Sequence, residues 1–173
     1  AERVLSDGSV ETGLDEAAIT AGLIPALQQG RYDAIAICLL NAYANDAHEQ
    51  RVAALIHEAL PDVFITGSAD VIREFREFER ASTTTLAAFV QPVIDRYLSR
   101  IEQRLTAERF GGRFTVMQSN GGRLPAEGMR RNAITALFSG PAAGVVGAVR
   151  QAERSGYKNL ITFDMGGTST DVC

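Results

Sequence analysis

Ala34 to Leu40 form an unbroken apolar run that includes two isoleucines, with a helical pattern on each side of it. A strand that is apolar at every position needs cover on both faces, so this run predicts a strand held between layers. Before it, Ala18, Ile19, Leu23 and Leu27 follow helical spacing from Asp15 to about Gly30. After it, Asn45-Asp46 can cap a second helix, in which Val52, Ala53, Ile56 and Leu60 make an apolar stripe. Pro61 ends that helix, and Val63 to Thr66 reads as a short strand. Strand, helix and strand in this order predict an α/β layer, with strands alternating with helices.

The charged stretch from Arg73 to Arg80 reads as a solvated helix or loop with paired charges. Ser82-Thr83-Thr84-Thr85 then leads into a long amphipathic helix, where Leu86, Phe89, Val90, Val93, Ile94, Tyr97, Leu98, Ile101 and Leu105 keep helical spacing. That stripe is expected to be core. Pro92 has no N–H to donate and should start the helix proper or kink it. Gly111-Gly112 breaks the pattern, Phe114 to Gln118 alternates as a strand, and Ser119-Asn120-Gly121-Gly122 is a turn. Asn120 to Gly122 either line a cleft or simply turn the chain. Ala136-Leu137-Phe138 reads as another strand. Ser139 to Gly144 (SGPAAG) opens a helix that reaches about Arg154; either its first amides turn towards a phosphate, or Ser139 is its cap, Pro141 lies in its first turn, and Gly144, Gly147 and Ala148 allow close packing. A domain boundary is expected between Arg109 and Ser139, where glycines cluster.

The 173 residues suffice for one domain, or a domain plus part of another, and 46% of them are hydrophobic. A net charge of −4 without a basic block gives no general attraction to nucleic acid or to an anionic membrane. Cys38 and Cys173 form no CxxC pair, which points to a reducing compartment and a cytoplasmic location. His48 and His57 make no spaced metal pair and read as surface residues on a helix, whereas Cys38 reads as a small buried hydrophobe. The chain starts without methionine, and a missing upstream segment is the expected reason.

The chemistry concentrates at the C-terminal end. Leu160 to Phe163 reads as a strand that runs into Asp164-Met165-Gly166-Gly167-Thr168-Ser169-Thr170-Asp171. Gly166 and Gly167 permit a tight hairpin whose amides can approach a polyphosphate without Cβ interference. Thr168, Ser169 and Thr170 add hydroxyl donors. Asp164 and Asp171 can hold Mg²⁺, directly or through its waters, or one of them can orient an attacking water. Phosphoryl transfer needs this equipment, because positioning and charge neutralisation do most of its work.

Phe163 to Val172 (FDMGGTSTDV) resembles the second phosphate hairpin of the hydantoinase A/5-oxoprolinase family, within the actin-like ATPase superfamily. Met117 to Gly122 (MQSNGG), Ser139 to Gly144 and Glu79 to Thr84 (ERASTT) resemble the same family. The resemblance implies an internal fragment of an actin-like (ribonuclease H-like) ATPase fold. Residues 1–110 would be an α/β portion of the N-terminal hydantoinase/oxoprolinase domain with its long helix. Residues 111–173 would begin the second actin-like domain and end in the phosphate hairpin.

The implied activity is ATP-dependent, Mg²⁺-assisted opening of a cyclic amide of the hydantoin or 5-oxoproline type; related subunits activate ketones for carboxylation. Phosphorylation of the amide carbonyl oxygen would make it a leaving group, so that water can attack that carbon. A hydantoinase B type partner subunit or second domain is implied as well. The family's earlier Asp-x-Gly-Gly-Thr loop has no counterpart before Asp164, so the fragment alone is expected to be inactive. The rival readings are a sugar or acyl kinase of the same superfamily, a nucleotide-switched binding or filament protein, and an inactive folding unit.

Overall fold

The structure is a computed structural model that describes residues 2–173. It divides into two compact units, Ala1–Glu108 with Arg130–Ile134, and Arg109–Met129 with Thr135–Cys173.

The first unit opens with β1 (Arg3–Val4) and β2 (Val10–Thr12), which pair antiparallel around a turn where Gly8 takes a φ of +85°. Asp15 then caps α1 (Glu16–Ala18), its carboxylate accepting the Ala18 N–H at 3.0 Å. The predicted single helix is present, with a π-helical turn at Ile19–Leu23 before α2 (Ile24–Gly30). Pro25 accounts for that turn. It offers no N–H to the preceding carbonyls, and the ladder widens so that Ile24 N–H reaches the Ile19 carbonyl.

The apolar run forms β3 (Ala34–Ile37), shorter than expected. α3 (Ala47–Ala59) returns the chain to β4 (Phe64–Gly67), which pairs parallel with β3, Ala34 opposite Phe64 and Ile37 opposite Gly67. Asn45 rather than Asp46 supplies the side-chain bond at the start of α3, accepting the Ala47 N–H at 3.1 Å, while Asp46 holds Arg73 at 2.6 Å. Alternation along β3 sorts its side chains by size. Ile35 and Ile37 meet Val52 and Ile56 of α3 in the core, together with Ile65 of β4. Ala34 and Ala36 turn to the other face.

That other face takes α5. After α4 (Ser68–Val71), α5 runs unbroken from Glu77 to Ala107 with Pro92 inside it. It lies against β3 and β4, and Thr66 donates to the Gln91 side chain at 2.7 Å. The expectation for the long stripe holds in part: Leu98 is buried and Val90, Ile94, Ile101 and Leu105 are half-buried. Ala87, Ala88, Pro92 and Leu98 are buried, whereas Leu86, Phe89, Val93 and Tyr97 are exposed, Phe89 to 76%. Ala88 and Pro92 of α5 face Ala34 and Ala36 across a shallow hollow, with Ala36 still exposed. The three threonines Thr83, Thr84 and Thr85 donate to carbonyls four residues back, so they belong to the helix and form no separate hydroxyl cluster.

The charged stretch is not simply solvated either. Arg80 is fully buried, donates to the Leu39 carbonyl at 2.6 Å, pairs with Glu77, and lies over the Tyr43 ring. Glu49 of α3 is buried at 1% exposure and accepts from Leu39 N–H (2.8 Å), Ser68 Oγ (2.6 Å) and Ala69 N–H (3.1 Å). These two side chains tie down the chain where it leaves β3. His48 is likewise drawn inward, onto Glu2 at 2.6 Å, while His57 is exposed as expected. Cys38 is half-buried. Arg130 anchors its segment to α5 through Asp95 (2.8 Å), Ser99 (3.1 Å) and Glu102 (2.5 Å).

In the second unit β5 (Thr115–Met117) and β6 (Arg123–Pro125) form an antiparallel hairpin. It leads into α6 (Ala126–Arg131), whose last two residues belong to the first unit. A 3₁₀ turn at Ala133–Ala136 stands where a strand was expected through Phe138. α7 (Ser139–Arg154) follows, and then β7 (Phe163–Met165) and β8 (Thr170–Val172), paired antiparallel. β7 begins three residues later than the apolar pattern suggests. Among the described residues its partner is β8 alone, so Leu160 and Ile161 find no ladder to join.

Candidate functional site

The β7–β8 hairpin sets the geometry of the site. Asp164 and Asp171 are direct cross-strand partners, flanked by the pairs Phe163 with Val172 and Met165 with Thr170. Thr162 and Cys173 exchange both backbone hydrogen bonds, at 2.9 and 3.2 Å, so the Asp164–Asp171 pair two places along shares their register. Both aspartates therefore stand on one face of the ladder. Phe163, Met165, Thr170 and Val172 occupy the other. Gly166 N–H closes the tip onto the Ser169 carbonyl at 2.9 Å, Gly167 and Thr168 form an open bend, and nothing lies within 4 Å of a Cβ built on Gly167.

The aspartate face looks onto the first half of α7. A Cβ added to Gly144 would come within 3.7 Å of Asp164 Oδ2. Phe138 precedes α7 in a left-handed conformation (φ 57°) and makes no side-chain cap, so Ser139 begins the helix rather than capping it. Pro141 does fall in the first turn. Gly140 and Gly147 have nothing within 4 Å of a Cβ position, so among the described residues the small side of α7 is open at both glycines.

The MQSNGG segment forms the loop between β5 and β6. Gln118 N–H donates to the Gly122 carbonyl at 2.8 Å, Gly121 N–H to the Gln118 carbonyl at 3.0 Å, and Gly122 N–H to Asn120 Oδ1 at 2.8 Å. Gly121 needs its freedom here: its φ is +81°, and a Cβ would stand 3.0 Å from Val146 Cγ2 of α7. Asn120 to Gly122 thus turn the chain between β5 and β6.

Ser119, one place earlier, reaches the site. A cleft of about 720 Å³ is lined by Ser119, Pro141, Gly144, Thr162, Asp164 and Asp171, with Phe138, Val145, Leu160 and Ile161 as apolar wall. Three segments distant in sequence thus meet at one cavity. Of the residues singled out in the sequence, Asp164 and Asp171 lie in the cleft lining; Gly166, Gly167, Thr168, Ser169 and Thr170 lie beyond it, at the exposed hairpin end. Phe138 and Thr162 carried no signal but position at a strand end, and Ser119 was marked only as part of a turn within the MQSNGG segment.

A family model described as hydantoinase/oxoprolinase matches residues 80–173, and one for the hydantoinase/oxoprolinase N-terminal region matches residues 1–60. The chain belongs to the hydantoinase/oxoprolinase family. It is 41% identical over 172 residues to the caprolactamase subunit alpha of Pseudomonas jessenii, covering 98% of this chain and 24% of that protein. Identity to the 5-oxoprolinase of Saccharomyces cerevisiae is 32% over 160 residues, covering 91% of this chain and 12% of the relative. The crystal structure of the ATP-dependent caprolactamase from Pseudomonas jessenii superposes with a TM-score of 0.84 at 40% identity, over 99% of this chain and 25% of that one. Nucleotide-free acetone carboxylase superposes with a TM-score of 0.85 at 30% identity, over 100% of this chain and 24% of that one. The chain therefore spans a quarter or less of the length of these relatives, and it shares its α/β fold with the matched parts of the two solved structures.

Two carboxylates on one ladder face suit a hard cation. Like charges directly opposite on paired strands repel, and Mg²⁺ takes one or two protein carboxylates, completing its shell with waters and substrate phosphates. Among the described residues no group of three or more His, Cys, Asp or Glu is placed to hold a metal without such help. Among them, too, no helix is long and apolar enough to cross a membrane.

Proposed function

We propose that this chain is a segment of a longer cytoplasmic enzyme that uses ATP to open a cyclic amide of the lactam, hydantoin or 5-oxoproline type. The observation that carries the reading is the meeting of Ser119, the start of α7 and the Asp164–Asp171 pair at one cleft, in a chain of the hydantoinase/oxoprolinase family. The architecture is that of an actin-like ATPase, with residues 1–110 in the N-terminal domain and 111–173 opening the second. A partner subunit completes the reaction, in keeping with the subunit naming of the caprolactamase relative.

Gly166, Gly167, Thr168, Ser169 and Thr170 cradle the nucleotide phosphates through backbone amides and hydroxyls at the open bend. Asp164 and Asp171 hold Mg²⁺ or its waters. The ion, when bound, neutralises phosphate charge. Phosphoryl transfer to the amide carbonyl oxygen breaks the bond between the γ-phosphorus and ADP, and makes the carbonyl carbon open to attack. Water adds to that carbon and the ring C–N bond breaks with the proton going to nitrogen. A second water then releases phosphate from the acyl phosphate. The charge-stabilising groups this chain contributes sit together on one hairpin, where preorganisation counts most.

Asp171→Asn in the full-length enzyme tests this directly. Amide-dependent ATP hydrolysis should fall by orders of magnitude while folding is retained, and an unchanged rate would remove Asp171 from the site. Ketone activation for carboxylation is a second reading, favoured by the likeness to acetone carboxylase. Bicarbonate-dependent consumption of a ketone, with no amide opened, would select it.

A further inference from the structure

We infer that Ser119 is the residue that orients the cyclic amide in this cleft, its hydroxyl donating a hydrogen bond to the polar edge of the substrate. The inference rests on the amide-opening reading and adds a substrate contact to it.

The loop that carries Ser119 leaves it little other purpose. Its two polar neighbours are committed: Gln118 Nε2 donates to Thr135 Oγ1 at 3.2 Å, and Asn120 Oδ1 accepts the Gly122 N–H at 2.8 Å. The Ser119 backbone is pinned as well, N–H to the Thr135 carbonyl at 2.8 Å. Gly121 is locked against Val146 of α7. Among the described residues the exposed Ser119 side chain makes no hydrogen bond, and Ser119 lines the same cleft as Asp164 and Asp171. A rigid loop with one uncommitted donor is a positioning device, because its geometry is set before the substrate arrives.

The rest of the lining says what it positions. Phosphates have their own donors at the hairpin tip, so a second donor across the cleft suits the other reactant. Phe138, Val145, Leu160 and Ile161 offer apolar cover. A cyclic amide is an aliphatic ring with one polar edge, which matches an apolar wall beside the hydroxyl residues Ser119 and Thr162.

The test uses the full-length enzyme with ε-caprolactam, 5-oxoproline and hydantoin as probes, reading amide-dependent phosphate release. Ser119→Ala should raise the KM for the amide it uses by about 3- to 10-fold, the loss of one neutral hydrogen bond, with the KM for ATP unchanged. Ser119→Thr, which keeps the hydroxyl, should restore it. An unchanged amide KM in Ser119→Ala, or a rise in the ATP KM instead, would overturn the assignment while leaving the phosphate hairpin in place. Full-rate hydrolysis in Asp171→Asn would instead overturn the underlying reading, and this one with it.

Discussion

Asp164 and Asp171 stand directly opposite one another on paired strands, two carboxylates on one face of β7–β8. In the absence of a cation this arrangement costs stability, on the order of a few tenths of a kcal/mol. Asp164→Asn should therefore raise the melting temperature of the free protein slightly while weakening Mg²⁺-dependent nucleotide binding. Calorimetry with and without Mg·ATP reads both signs in one experiment. A lowered melting temperature together with unchanged nucleotide affinity would remove the carboxylate from any functional role.

Glu49 is the buried acid that joins the ends of β3 and β4. With three donors aimed at it, Glu49→Ala strips partners from Leu39 N–H, Ser68 Oγ and Ala69 N–H at once. A cost of about 2–4 kcal/mol is expected from chemical denaturation, in keeping with buried hydrogen bonds to a charged group. Ser68→Ala should cost less, about 1–2 kcal/mol. The double variant should fall short of the sum, since the two share one bond.

Gly121 is predicted to resist any side chain. Its φ of +81° strains an L residue, and the added Cβ would press on Val146 at 3.0 Å. Gly121→Ala should destabilise by about 1–2 kcal/mol from backbone strain alone. Val146→Ala in the same protein should relieve only the steric part, so the pair separates the two causes in a melting series.

Glu16 and Arg51 give a pH test. The guanidinium donates two hydrogen bonds to the carboxylate, at 2.8 and 2.6 Å, and holds Glu16 below the usual 4.5. A depressed carboxylate contributes stability above its unfolded pKa, and that contribution is lost as pH falls through the folded value. The tether between α1 and α3 should therefore persist at pH 5 and open in stronger acid, about where Glu16 takes its proton. Carboxyl NMR should follow this, and Arg51→Ala should return the Glu16 titration to near 4.5.

Much of the first unit was legible in the sequence because periodicity reports burial where one face alone is apolar. Val52 and Ile56 mark the inner face of α3 without ambiguity. α5 is different. Its stripe is too wide to bury whole: Leu98, Val90 and Ile94 turn inward with Ala87 and Ala88, while Leu86, Phe89, Val93 and Tyr97 stay exposed, and spacing cannot say which part the sheet accepts. The deciding partners, Ala34 and Ala36, lie some fifty residues away. Arg80 and Glu49 were misread or missed for the same reason: their partners Leu39 and Ser68 are remote, and a charged residue carries no local mark of burial. In the second unit the hairpin motif announced Asp164 and Asp171. Ser119 stood inside the MQSNGG segment, but its relation to them exists only after the chain has folded.

The division of β3 into large residues on one side and alanines on the other acts on the folding chain as well as the finished one. A slip of one place against β4 would turn Ile35 and Ile37 toward α5 and offer α3 only methyl groups. The long helix could not then seat, and the core under α3 would be hollow. Misregistered pairing is thus penalised twice, so the two-strand sheet carries its own proofreading.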